Sequence, residues 1–219
     1  MNNPIIVLCS SISTFLPFVA VTVFFKSYHN RSKALLLLWM FFALAVVTET
    51  ILHFLGLFGK HSGWIFHIFT FLEYILIASI LAVWQLNATF AQLIRFSIPL
   101  YISFFVFTKV IGLENFSADT ANFITRPLAL LLLSIFAFLT LQDLWRQMTV
   151  NLTNDYRFWI LLAMVLYYSA SLVLFAFMFT KQWETLDALF KVHAVVNIIH
   201  NILFTIGIIQ IRKTPQAAL

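Results

Sequence analysis

Residues 34–58 read ALLLLWMFFALAVVTETILHFLGLF. A run this apolar exceeds the roughly 20 residues that a helix needs to cross the hydrocarbon core of a bilayer. Its second half nevertheless carries Glu49 and His53. Both features recur along the chain. Long apolar runs follow one another, and a few energetically expensive polar side chains sit inside them.

The composition agrees with that reading. Of 219 residues, 62% are hydrophobic and 10% charged, against about 45–50% and about 25% in a soluble domain. A soluble globule would have to leave the apolar surplus in water, and a disordered chain would be polar and charge-rich. An integral membrane protein remains. The single cysteine, Cys9, excludes an internal disulfide and a cysteine-based metal site. With 26 Phe and 5 Gly, the helices should pack through large side chains rather than through close glycine contacts.

Seven runs qualify as spans: Pro4–Phe25, Ala34–Phe58, Trp64–Leu86, Phe96–Leu113, Asn122–Leu141, Phe158–Thr180 and Leu189–Ile211. The expected fold is an all-α membrane protein, one seven-transmembrane-helix bundle over residues 1–219. The fourth and fifth runs are the weakest, and their alternative is a re-entrant pair. Pro127 suits a first helical turn, and Arg126 beside it should snorkel toward the headgroups. Pro17 and Pro99 should kink their spans. The first run lacks a basic segment before it and is followed by Lys26, Arg31 and Lys33, so it reads as a retained anchor rather than a cleaved signal. The connecting loops are too short to hold a domain, so any output should pass through the helices or a partner chain. No internal repeat of the kind that marks inverted-repeat transporters is evident.

Lys and Arg set orientation. With the N-terminus outside, Lys26, Arg31, Lys33, Arg95, Arg146, Arg157, Arg212 and Lys213 are cytoplasmic, and Lys60, Arg126 and Lys181 face outward. Lys109 and Lys191 fall within spans, which accounts for all 13 basic residues. The bias predicts an outside N-terminus and a cytoplasmic C-terminus. Trp39, Trp64, Trp84 and Trp159 near span ends fit an aromatic belt. Of the sequons at Asn30, Asn87, Asn115 and Asn151, three fall on the cytoplasmic side and read as chance. The net charge of +5 is spread over these loops with no long basic tract, so nucleic acid is not an expected partner. The lipid bilayer is.

An ionisable side chain inside a span costs about 2.5–3.5 kcal/mol on insertion scales and usually marks function. Glu49 and His53 lie in the second run, His67 and Glu73 in the third, and Lys109 in the fourth. The seventh carries Lys191, His193, Asn197, His200 and Asn201. Glu49 and His53 are four apart and stack on one helical face. His193, Asn197 and His200 form one stripe, flanked by Asn201. His67 and Thr70 share a face, with Glu73 and Tyr74 a turn deeper. At about 1.5 Å per residue, His53, His67 and His193 reach one level about 10–12 Å outward of their span centres. Glu49, Glu73 and Asn197 come just below, with Lys109 at about 7 Å. The expectation is an outward-facing polar pocket formed by Glu49, His53, His67, Glu73, Lys109, His193, Asn197, His200 and Asn201.

Several chemistries fit such a pocket. Glu49, Glu73 and Lys109 would pair charges around a polar ligand, with the histidines tuning it by pH. Alternatively, His53, His67 and His193 would hold zinc with an open position for hydrolysis, and Glu49 or Glu73 would act as base or supporting carboxylate. Proton or solute transport is a further reading. So is plain interhelical bonding, worth about 1 kcal/mol or less per group. Tyr167, Tyr168, Ser169 and Ser171 either line the pocket or bond helices. No cofactor is expected unless the histidines hold zinc. A bis-histidine haem would need matched depths and a porphyrin-wide gap between His67 and His193 or between His53 and His200. A retinal lysine belongs midway along the seventh span, where this chain has His200 rather than Lys109.

Three stretches resemble a group of uncharacterised bacterial seven-span membrane proteins. They are Phe71-Leu-Glu73-Tyr74, the run from Phe158-Trp159-Ile160 through Tyr167-Tyr168-Ser169 to Leu174-Phe175, and His193-Ala-Val-Val-Asn197-Ile-Ile-His200-Asn201-Ile-Leu-Phe204. That resemblance implies a multi-pass protein of the bacterial inner (plasma) membrane and no known activity. Seven spans and a His late in the second also resemble the superfamily of alkaline ceramidases and adiponectin receptors, which implies a zinc hydrolase. The chain departs from that pattern. Asn197 replaces the second His of a His-x-x-x-His, Thr48 and Glu49 stand where a Ser is expected, and the third run has no Asp. The reading adopted is a ligand-binding or sensory role acting through a membrane or cytoplasmic signalling partner. Its rivals are a metal-dependent intramembrane hydrolase and a transporter, and the sequence leaves open whether the protein is an enzyme.

Overall fold

The computed structural model describes residues 4–27, 32–58, 62–116, 122–147, 152–178 and 183–211. The helices are α1 (Pro4–Ser13), α2 (Phe15–Ser27), α3 (Lys33–Leu57), α4 (Gly63–Trp84), α5 (Ala88–Val110), α6 (Thr125–Gln147), α7 (Tyr156–Met178) and α8 (Trp183–Ile211). A single 3-10 turn, Leu152–Asn154, precedes α7. Helices α3 to α8 are each long and apolar enough to cross a membrane, and the N-terminal apolar stretch Leu8–Phe24 is shorter. Arg31, Lys60, Lys181, Arg212 and Lys213, which enter the charge count, lie outside the described residues. So do Asn30, Asn151 and Thr180.

The fourth and fifth runs form full helices of 23 residues each rather than a re-entrant pair. Helix α5 begins at Ala88 rather than Phe96 because Asn87 caps it. The Asn87 Oδ1 accepts from the Thr89 and Phe90 amides at 3.0 and 3.3 Å, which offsets the unpaired donors of a first turn. Polar residues such as Gln92 and Arg95 can therefore extend it beyond the apolar run. Pro99 sits inside α5 without ending it. Pro17 acts differently. It lacks the N–H that would bond the Ser13 carbonyl, and the helix breaks at Thr14 between α1 and α2. There the Ser13 hydroxyl donates to the Ser10 carbonyl at 2.6 Å, and the Thr14 amide donates to the Ser11 carbonyl at 3.3 Å.

The helices close into a ring. The α1 and α2 pair packs on α8, and α2 packs on α3. Then α3 packs on α4, α4 on α6, α6 on α7, and α7 on α8. Helix α5 stands outside this circuit, mainly against α4. One half of the ring is an apolar core, built from Leu35, Leu38, Ile77, Leu81, Leu133, Ile160, Phe204 and Ile208, all buried. Packing there is not solely through large side chains. A Cβ on Gly207 would lie 2.7 Å from Ile160 Cγ1 and 3.0 Å from the Tyr156 carbonyl oxygen. Helices α7 and α8 thus meet at a glycine, the usual device for close approach where lipid supplies no hydrophobic drive.

Candidate functional site

Helix α4 presents two stripes. Successive residues turn by 100°, so residues seven apart nearly eclipse. Phe66, Thr70 and Glu73 face the ring interior, and His67, Phe71 and Tyr74, one residue on, face α5. The Tyr74 hydroxyl donates to Ser97 Oγ at 2.8 Å, and its ring stacks on Tyr101 with centroids 4.0 Å apart. His67, fully buried, places Nδ1 2.7 Å from Lys109 Nζ. Lys109 in turn meets Glu114 Oε2 at 2.8 Å, with the Phe105 and Phe116 rings about it.

Glu114 reaches Lys109 because α5 ends in a turn through Gly112, whose φ of 74° is a left-handed conformation that glycine adopts without penalty. The chain doubles back, and the Glu114 amide donates to the Thr108 carbonyl at 3.2 Å. The carboxylate then caps α6. It accepts from the Ile124 and Thr125 amides, the latter at 3.0 Å, and from the Thr125 hydroxyl at 2.7 Å. Burial would raise the Glu114 carboxyl, but the bonds from Lys109, Thr125 and the Ile124 and Thr125 amides hold it below the ordinary carboxylate value.

Inside the ring lies a cavity of about 570 Å³. It extends from Leu52 and Phe190 near one end of the bundle to Phe42 and His200 near the middle, about 15 Å at about 1.5 Å per residue. Its floor is aromatic, with Phe42 edge-on to Phe204 at 4.9 Å. On the α4–α6 side, Arg126 Nη1 donates to Glu73 Oε2 in a direct ion pair and to Thr70 Oγ1 at 3.4 Å. The Tyr168 hydroxyl adds a 3.4 Å bond to Glu73 Oε1. Arg126 therefore does not snorkel: it is only 9% exposed. Glu114 fixes the start of α6, which turns Arg126 inward, and a buried carboxylate in low dielectric is a better partner than a hydrated headgroup. Asn122, just before α6, donates from Nδ2 to the Phe66 carbonyl and to Thr70 Oγ1, both at 3.1 Å.

On the opposite side, α8 is pinned to α1. Asn197 Nδ2 donates to Ser10 Oγ at 2.9 Å, and Asn201 Nδ2 to Ser13 Oγ at 2.8 Å. His193 Nδ1 lies 3.4 Å from Ser171 Oγ. His200 stacks on Tyr167 with centroids 4.5 Å apart and sits edge-on to Phe204. Among the described residues, neither of its ring nitrogens has a hydrogen-bond partner. Glu49 borders the cavity facing Ser11.

Glu49, Glu73, His193, Asn197, His200 and Asn201 thus share one cavity. His53, His67 and Lys109 are not part of its lining. His67 and Lys109 pair on the far side of α4. His53 is exposed, since each four-residue step along α3 rotates about 40° and carries it off the lining stripe. The proposed His53, His67 and His193 metal set is not assembled. Among the described residues, no group of three or more His, Cys, Asp or Glu side chains is placed to hold a metal ion. Equal depth along the membrane normal does not fix the direction in which a side chain leaves its helix. The expected grouping of Glu49, Glu73 and Lys109 also resolves differently, into Glu73 with Arg126 and Lys109 with Glu114. Sequence reasoning missed Arg126, Glu114 and Asn122 as site residues. The available signal was that a deep Glu73 needs a cation, and Arg126 is the basic residue of the fifth run.

No protein-family model, curated protein or solved structure matches this chain.

Proposed function

We propose that the chain is a seven-span inner-membrane protein with its N-terminus outside, and that its cavity binds a small amphipathic ligand in a sensory role. The broken α1–α2 segment supplies the seventh crossing. The observation that carries this reading is the cavity itself. Its volume of about 570 Å³ falls within the about 300–1,000 Å³ of small-molecule sites. Aromatic side chains such as Phe41, Phe66, Phe69 and Phe175 share its wall with Glu73, Arg126 and the α8 polar stripe. Interhelical bonding alone requires no such space, and large side chains would close it. With Arg126 taken out of the outer loops, the basic residues divide eight against two, which supports the N-out orientation; in that orientation the cavity would lie in the extracytoplasmic half. Ligand occupancy would shift helix packing around the Glu73–Arg126 pair and pass to a partner chain, provided that the ligand binds one packing better than the other.

The test is occlusion. Ala45 and Ala194 both line the cavity and are nearly buried, so Ala45→Phe and Ala194→Phe each put a benzyl group into it and take space from a ligand. Small molecules that co-purify with wild-type protein and with these variants are compared by mass spectrometry. A compound retained by wild type and lost from both folded variants supports the reading. Identical small-molecule content in all three contradicts it.

A further inference from the structure

We infer that the ligand is a net-neutral amphiphile whose polar group both donates and accepts a hydrogen bond, as a hydroxyl or an amide does. This rests on the binding role proposed for the cavity. The deep ionised groups, Glu73 and Arg126, already neutralise each other. Nearer the α8 N-terminus, Glu49 and Lys191 add one charge of each sign. Among the described lining residues the formal charge is zero with the histidines neutral, so an added cation or anion would be a buried charge in excess of its partners there, which low-dielectric surroundings penalise.

The unpartnered atoms give the polar chemistry. His200 is 5% exposed, and among the described residues both its ring nitrogens lack a partner. Asn122 Oδ1 is likewise buried and has no partner among the described residues, while its Nδ2 is committed to Phe66 and Thr70. Buried polar atoms without partners are uncommon in folded proteins, because each forfeits its hydration. A neutral imidazole offers one donor and one acceptor. A hydroxyl or an amide can meet either one, whichever nitrogen it faces, whereas a carboxylate only accepts and an ammonium only donates. The apolar body would lie against Phe66, Phe69, Leu174 and Phe175.

The experiment uses the full chain in lipid nanodiscs and four radiolabelled probes of equal chain length: decanol, decanamide, decanoate and decylammonium. Saturable retention is measured against empty discs. Decanol and decanamide should bind at least about tenfold tighter than either charged probe. His200→Phe, which keeps the aromatic stack, should abolish that preference. His200→Asn, which keeps a donor and an acceptor, should retain it, and so should Phe138→Leu on the lipid-facing side of α6. Where a His200 variant does not fold, the wild-type ranking of the four probes decides. A charged probe binding as tightly as decanol, or a preference that survives His200→Phe, overturns the neutral class and leaves the cavity a binding site. No saturable binding of any probe overturns the binding role as well.

Discussion

Arg126→Met should leave the Glu73 carboxylate buried without its counter-charge. Glu73 is 1% exposed, and its other hydrogen bond, from Tyr168, is 3.4 Å long. Removing one partner of a buried ion pair costs about 3–5 kcal/mol, whereas replacing both by apolar residues is often near neutral. Glu73→Leu should fall toward the lower figure, because Arg126 keeps Thr70 and the Phe69 ring, 5.7 Å away. The double variant Glu73→Leu/Arg126→Met should cost about 2 kcal/mol or less, far below the sum of the single changes. For a chain of this size each kcal/mol moves the thermal midpoint by about 2–4 °C, so the single variants should lose about 6–20 °C. Thermal unfolding in mild detergent, followed by helical circular dichroism, reads all four proteins. Single variants within about 1 kcal/mol of wild type, the range of an exposed pair, would refute the buried-pair account. Strictly additive losses would refute it equally.

Three further changes probe separate parts of the structure. Gly207→Ala forces a Cβ to within 2.7 Å of Ile160 Cγ1, and overpacking of this kind should cost about 1–3 kcal/mol in the same melt. An unchanged midpoint would show that α7 and α8 do not meet there. Glu114→Gln should destabilise the protein at pH 7, but by progressively less on acidification. A carboxyl held below its ordinary value of 4.5 contributes stability that is present above that value and is lost as pH falls through the lower, folded-state value. The gap between wild type and variant should therefore shrink below about pH 4.5, and a gap that widens in acid would reverse the sign. Tyr74→Phe deletes the bond to Ser97, which still donates to the Ile94 carbonyl at 2.7 Å. The expected loss is about 1 kcal/mol, and a loss several times larger would point to a second partner of the hydroxyl.

The helices were readable because a span leaves a length-coded apolar run, and six of the seven runs coincide with long apolar helices. Their starts were less readable where a side chain such as Asn87 supplies a cap that apolarity does not register. The α8 stripe was legible because spacings of three and four residues fix a common face. Which helix stands beside which was not legible. That His67 meets Lys109 depends on α5 packing outside the ring, a fact of topology that no local period encodes. Arg126 and Glu114 escaped notice because basic and acidic residues flanking a span ordinarily face water. The turn through Gly112 makes Glu114 a helix cap, and the α6 start that it fixes makes Arg126 a buried counter-ion.

The most direct test places a photo-crosslinking amino acid at Leu174, which lines the cavity, and separately at Phe138, which is 55% exposed on the outer surface of α6. After illumination in the native membrane, adducts at each position are identified by mass spectrometry. The account predicts one discrete small-molecule adduct at position 174 that is absent at 138, where only bulk phospholipid is captured. The same phospholipid profile at both positions, or no adduct at 174, would contradict it.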